Sequence, residues 1–145
     1  MITPVATFPH APGSYHTKLF HEARANKNFR RVLFTGRTSQ LVLMSIPPGG
    51  EVGAETHLYT EQTLLFLAGS GEGELDGKRF PIEPGDVVVV SVGTGHNFWN
   101  TGTEAMKIIT TYAPANHIDG RVHHTKADAD ADTADEKAGE SAPAK

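Results

Sequence analysis

The sequence predicts an all-β protein, a small antiparallel jelly roll or barrel with an irregular arm before it and a flexible tail after it. Short apolar runs, rich in β-branched or aromatic residues, recur along the middle of the chain. Each is bounded by Gly, Pro or Asp-Gly, which is the spacing of an all-β sandwich or barrel. The pair Asp76-Gly77, inside ELDGKRF, tolerates the positive φ of a tight hairpin turn. The middle of the chain shows no sustained helical period.

Taken in order, residues 1–28 carry Pro4, Pro9, Pro12 and Gly13 without periodicity, which suits an arm laid over a core. The barrel is expected over residues 29–124, built from RRVLFTG, SQLVLMSIPPGG, EQTLLFLAGSGEG, GELDGKRFPIEPGD, DVVVVSVGTG, HNFWNTG and AMKIITTYAP. Its edges need protection by closure or by another subunit, and an apolar face such as DVVVVSV leads to the expectation of a homodimer. From Thr125 onward, TKADADADTADEKAGESAPAK has almost no large apolar side chains. It buries too little surface to offset ordering entropy, so residues 125–145 are expected to be disordered or weakly helical.

Composition narrows the function. At 145 residues and 38% hydrophobic, the chain is sized for one compact domain. The net charge of −4, with Lys and Arg dispersed, lacks the footprint of a nucleic-acid binder. With no cysteine there is no disulfide, thiolate metal site or Cys nucleophile, so any chemistry falls to oxygen and imidazole groups. No basic region leads into an apolar run at the N-terminus, and no stretch approaches the length of a membrane span. A cytoplasmic location without membrane contact is expected. GSGEGELDG is turn material and not a phosphate loop, because no Lys-Ser/Thr follows it and strands flank it.

Polar residues gather at the edge of the most apolar segment. On a strand, Glu55 and His57 in AETHLY share a face. Gln62 opens the next strand on the face of Leu64 and Phe66, where a polar amide needs a partner. Further on, GDVVVVSVGTGHNFWN places His96 after a Gly-rich turn, with Phe98 and Asn100 on its face.

These two segments resemble the paired motifs of the cupin superfamily, small β-barrels whose metal site lies in the barrel mouth. Gly49, Glu55, His57, Gln62 and Gly69 fall at the spacings of the first motif, with Glu55 in place of its first His and Gln62 in place of its Glu. Gly85, Ser91, Gly93, His96 and Asn100 match the second, with Ser91 replacing the usual Pro. The resemblance spans about Pro47 to Pro114. The flanks look like those of small single-domain cupins often labelled mannose-6-phosphate isomerase-like. That subgroup, as the resemblance implies, also carries Glu-x-His and Gln at these positions. The implied fold is a double-stranded β-helix, or jelly-roll, cupin barrel.

Glu55, His57 and His96 make a two-His, one-carboxylate facial set, and Gln62 offers a weaker fourth oxygen. Such N2O2 ligation fits one divalent metal ion, Fe, Mn, Ni, Co or Zn, and affinity order does not choose among them. The site keeps net positive charge, which favours an enolate, carboxylate or hydroxide. Tyr59, on the same face by alternation, is a candidate proton donor beside Glu55, against the simpler reading of a rim tyrosine with a wet hydroxyl. Phe98, Trp99, Met44, Leu64, Phe66 and Tyr112 are core or pocket wall, with core packing the default. His117, Asp119, His123 and His124 invite a second metal site, but a solvated tail or edge strand is the expectation.

The expected function is that of a metal-dependent enzyme acting on a small oxygenated molecule that is sugar-, uronate- or keto-acid-like. Isomerase- or lyase-type proton transfer by Glu55 or Tyr59 is favoured. One alternative is an Fe(II) dioxygenase, and another is a non-catalytic module that binds a metal or small ligand. Between Gln40 and Pro114 the cationic side chains are Lys78, Arg79 and Lys107. None of them is placed to point into the barrel, so a neutral or carboxylate-bearing substrate is expected rather than a phosphosugar.

Overall fold

The computed structural model describes residues 9–140. Residues 1–8 of the expected arm and 141–145 of the expected tail lie outside the described residues. The apolar runs fold as antiparallel strands: β1 (Arg30–Thr35), β2 (Gln40–Ile46), β3 (Glu55–Thr56), β4 (Glu61–Ala68), β5 (Gly71–Leu75), β6 (Lys78–Ile82), β7 (Val87–Val90), β8 (Gly95–Asn100), β9 (Met106–Ala113) and β10 (Val122–His123). They form a six-stranded sheet in the order β10-β1-β2-β9-β4-β7 and a four-stranded sheet in the order β3-β8-β5-β6. Two antiparallel sheets enclosing one core make the jelly roll that the runs predict.

Alternation sorts the side chains. In β2, Val42, Met44 and Ile46 turn inward to meet Leu64, Phe66, Phe98, Met106 and Ile108. Leu41 and Leu43 turn outward with Leu33, Leu65 and Ile109. Of the six aromatic and apolar candidates, Met44, Leu64, Phe66, Phe98 and Tyr112 are core. Trp99 points out, and the Arg79 guanidinium lies 4.2 Å from its ring centroid. On the sheet-edge strand β7, Val88 and Val90 are buried while Val87 and Val89 stay exposed.

The hairpin between β5 and β6 turns on Asp76 (φ 48°) and Gly77 (φ 82°), as the dipeptide predicts. Gly71 in β5 meets a different demand. A Cβ placed on it would lie 1.8 Å from the Trp99 carbonyl oxygen. Asn100 holds the loops around β8, its amide donating to the Ile46 and Glu104 carbonyls and its oxygen accepting from the Gly102 N–H.

Among the described residues, three helices lie outside the sheets: α1 (Leu19–Ala25), α2 (Lys126–Ala131) and α3 (Thr133–Glu140). The first lies within the arm read as irregular. Its Leu19 and Ala23, one turn apart, pack on the outer face of the large sheet against Leu43 and Ile109. Seven residues are too few to show a period in the sequence. The other two lie in the segment expected to be disordered or weakly helical. The Thr125 hydroxyl caps α2 by accepting from the Asp128 N–H. In α3 the buried residue is Asp135, which fastens the helix through polar bonds instead of apolar surface. Among the described residues, no helix is long and apolar enough to cross a membrane.

Candidate metal centre

Pairing of β3 with β8 sets Glu55 directly opposite His96. Directly opposed residues share a face, and His57, one residue past the end of β3, returns to that side, as its ring contact with His96 shows. One ligand atom from each of Glu55, His57 and His96 lies within 4.8 Å of the other two. The two imidazole rings have centroids 5.0 Å apart. Gln62, in the row with Tyr112 and Val90, projects from the facing sheet. Its amide nitrogen donates to the Thr110 and Tyr112 hydroxyls, both at 3.1 Å. The four residues that the sequence singles out as ligands thus enter one interior.

Their unmet bonding is informative. His96 Nδ1 lies 2.9 Å from the Thr94 carbonyl oxygen, an acceptor only, so Nδ1 carries the proton and Nε2 is left with a bare lone pair. His57 Nε2 and Gln62 Oε1 are buried with no hydrogen-bond partner. Glu55 Oε2 lies 3.1 Å from that His57 nitrogen. Burial, and the neighbouring His96, hold the His57 pKa down to about 4, and burial also lowers that of His96. Both imidazoles are therefore neutral near pH 7. Between Glu55 Oε2 and His57 Nε2 a shared proton or a cation satisfies both atoms, and the lone pairs of Glu55, His96 and Gln62 beside them make a donor set that fits a cation.

Above these groups opens a cavity of about 580 Å³, reached by Glu55 and His57 and bordered by Phe29, Arg30, Val52 and Tyr59. Glu55 is half-buried, and desolvation raises its pKa, against the opposing pull of Arg30. The regular strand ends at Thr56, so alternation does not extend to Tyr59, yet that residue stands on the cavity rim with its side chain exposed.

Near the cavity, Arg30 and Asp135 escaped the sequence reading, and His117 lies elsewhere than expected. Arg30 opens β1 and is buried, paired in register with Met44 and His123, so it turns inward. This corrects the expectation that no cationic side chain points into the barrel. The signal was present: of two consecutive arginines opening an apolar strand, alternation sends one inward. Arg31 is the outward one, facing Glu22 at 3.8 Å.

His117 and Asp135 are the others. His117 was expected on a solvated tail or edge strand but is buried, and its Nδ1 donates to Asp135 Oδ2 at 2.7 Å. The Ile118 N–H donates to the other Asp135 oxygen at 2.6 Å. Burial opposes ionisation of Asp135, but the bonds from His117 and Ile118 outweigh it and keep its pKa low. Burial pushes the His117 pKa down to about 4, and its Nε2 has no partner.

His123 does occupy edge strand β10 and is buried too, its Nε2 2.9 Å from Asp132 Oδ2. Arg121 donates to both Asp132 oxygens, at 2.8 and 3.2 Å. These donors saturate Asp132 and hold its carboxyl well below the usual range. His123, Asp132 and Asp135 therefore form a hydrogen-bonded clasp, with its carboxylates committed to donors in place of a cation.

A pH dependence follows. An ordinary imidazole titrates at about 6.5, whereas His57 and His117 do so at about 4 in the fold. As pH falls below about 6.5 the unfolded chain takes protons first, so stability present above that pH is lost on the way to about 4. Glu55, with its raised pKa, acts in the opposite sense, one group against the three depressed histidines. The melting temperature of metal-free protein is expected to drop between pH 7 and pH 5. A flat or rising profile in calorimetry would contradict the burial of neutral imidazoles.

Comparison with known proteins gives a consistent result. The family described as "Cupin domain" matches residues 42–112. The YrkC protein of Bacillus subtilis is 35% identical over 126 residues, covering 83% of this chain and 68% of that protein. The crystal structure of BH2720 from Bacillus halodurans superposes with a TM-score of 0.81 at 33% identity, covering 87% of this chain and 99% of that one. The oxalate-binding protein of Thermotoga maritima is 33% identical over 66 residues, 46% of this chain and 54% of that protein. With its jelly roll and these relatives, the chain belongs to the cupin superfamily, as a small member of it.

Proposed function

We propose that this cupin is a metal-dependent enzyme acting on a small oxygenated molecule by isomerase- or lyase-type proton transfer. The observation that carries the reading is the convergence of Glu55, His57 and His96 with the buried, unpartnered His57 Nε2 and Gln62 Oε1. Those four residues would hold one divalent ion of the Fe, Mn, Ni, Co or Zn class. When bound, the ion supplies Lewis-acid polarisation of a carbonyl or hydroxyl oxygen.

The chain's own residues do the rest. His96 is fixed in one tautomer by Thr94, which keeps its free nitrogen aimed inward. Glu55, half-buried beside the imidazoles and bordering the cavity, has its pKa raised by burial, in the direction that suits a group passing a proton to and from a ligand. Tyr59 on the rim offers a hydroxyl to the outer end of the same molecule. Phe29 and Val52 supply apolar wall that limits water.

A second reading, a module that only binds its ligand, is favoured by the likeness to the oxalate-binding protein. One experiment separates them. Protein loaded with each candidate ion is incubated in D2O with a panel of sugars, uronates, hydroxy acids and keto acids. The proposal expects deuterium incorporation or product without oxygen consumption. Oxygen uptake limited to the Fe(II) form would move the assignment to a dioxygenase. Thermal shifts with no turnover across the panel would leave the binding module.

A further inference from the structure

We propose that Arg30 binds a carboxylate of the ligand, so that the molecule taken by this cavity is a small hydroxy or keto acid. This rests on the reading of the cavity as the ligand site and narrows it to a substrate class. Arg30 is 5% exposed and borders the cavity together with Glu55 and His57. Its Nε is buried with no partner. Its Nη1 donates to His123 Nδ1 at 3.3 Å, and the guanidinium also acts on the Tyr112 phenol.

No carboxylate among the described residues forms an ion pair with Arg30. The nearby acids are committed elsewhere, Asp132 to Arg121 and His123 and Asp135 to His117 and Ile118. Glu55 borders the same cavity, and although the guanidinium partly offsets the burial that raises its pKa, the two form no ion pair. A buried guanidinium with no counter-charge in contact is costly to keep. A ligand anion reaching Nε through the cavity would meet that need.

The geometry of the group selects the anion. A guanidinium presents paired donors that match the two oxygens of a carboxylate. Phosphate has matching oxygens as well, but the cavity border also carries Glu51, Asp130, Glu136 and Glu140. Lys126, the other cation there, already pairs with Asp130 at 2.8 Å. Such a rim repels a dianion more than a singly charged acid. With its carboxylate on Arg30, the ligand's remaining oxygens extend toward Glu55 and His57.

The test uses metal-loaded full-length protein, with pyruvate, lactate, glycolate and glucuronate as probes, lactamide as the uncharged control and inorganic phosphate as the competing anion. At least one acid is expected to bind, and Arg30→Gln is expected to weaken it roughly 100-fold. Lactamide affinity and metal content should stay unchanged. Arg30→Lys keeps the charge without the fork and should lie between, which also covers a misfolded Gln variant.

The proposal fails if no acid binds wild type, if phosphate binds more tightly than every acid, or if Arg30→Gln weakens lactamide and lactate equally. If wild type takes up no metal yet still binds an acid in an Arg30-dependent way, the metal reading falls and the carboxylate site stands.

Discussion

Gly71→Ala is expected to abolish the folded state at ordinary temperatures. The new methyl carbon would sit 1.8 Å from the Trp99 carbonyl oxygen and 2.7 Å from the Met106 terminal carbon. The first is backbone on β8, the strand hydrogen-bonded to β5, and Met106 is fully buried. Relief requires the two strands to separate where Gly71 opposes Asn100. That separation would break the ladder that also sets Leu75 against His96. A core clash of this kind costs more than about 4 kcal/mol, a large share of the roughly 5–15 kcal/mol that holds a domain together. Thermal melts followed by circular dichroism provide the measurement. A variant melting within a few degrees of wild type would mean that β5 and β8 part there at little cost.

The second large effect is on metal content. Protein prepared in the presence of divalent ions should carry close to one per chain, and His96→Ala or His57→Ala should reduce that to near zero. Each substitution removes a neutral imidazole and leaves too few donors for a stable site. Gln62→Ala should weaken retention without abolishing it, because an amide oxygen is the poorest donor of the set. Far-UV circular dichroism separates loss of ligand from loss of fold. Full metal content in folded samples of both histidine variants would remove Glu55, His57 and His96 from the role given to them.

The strands were legible because their determinants are local. Asp76-Gly77 makes its own turn, and the alternation in QLVLMSI sends Val42, Met44 and Ile46 inward whatever the rest of the chain does. Glu55 and His57 could be grouped by the two-residue period alone. What was not legible depends on partners distant in sequence. The helix at Leu19–Ala25 is held by Leu43 and Ile109, and α3 by an aspartate whose partner is His117. A solubility-based reading treats Asp135 and His117 as wet residues, and nothing near either one in sequence says otherwise. Arg30 stands ahead of the Gln40–Pro114 stretch, and which of Arg30 and Arg31 turns inward is decided by the register of β1 against β2 and β10.

The cavity draws one wall from Arg30 near the front of the chain and another from Asp135, Glu136 and Glu140 near its back. The donors for an ion, by contrast, sit on strands in the middle of the chain. Capacity to hold an ion and choice among organic molecules therefore rest on different stretches of sequence, and the second can drift while the first stays fixed.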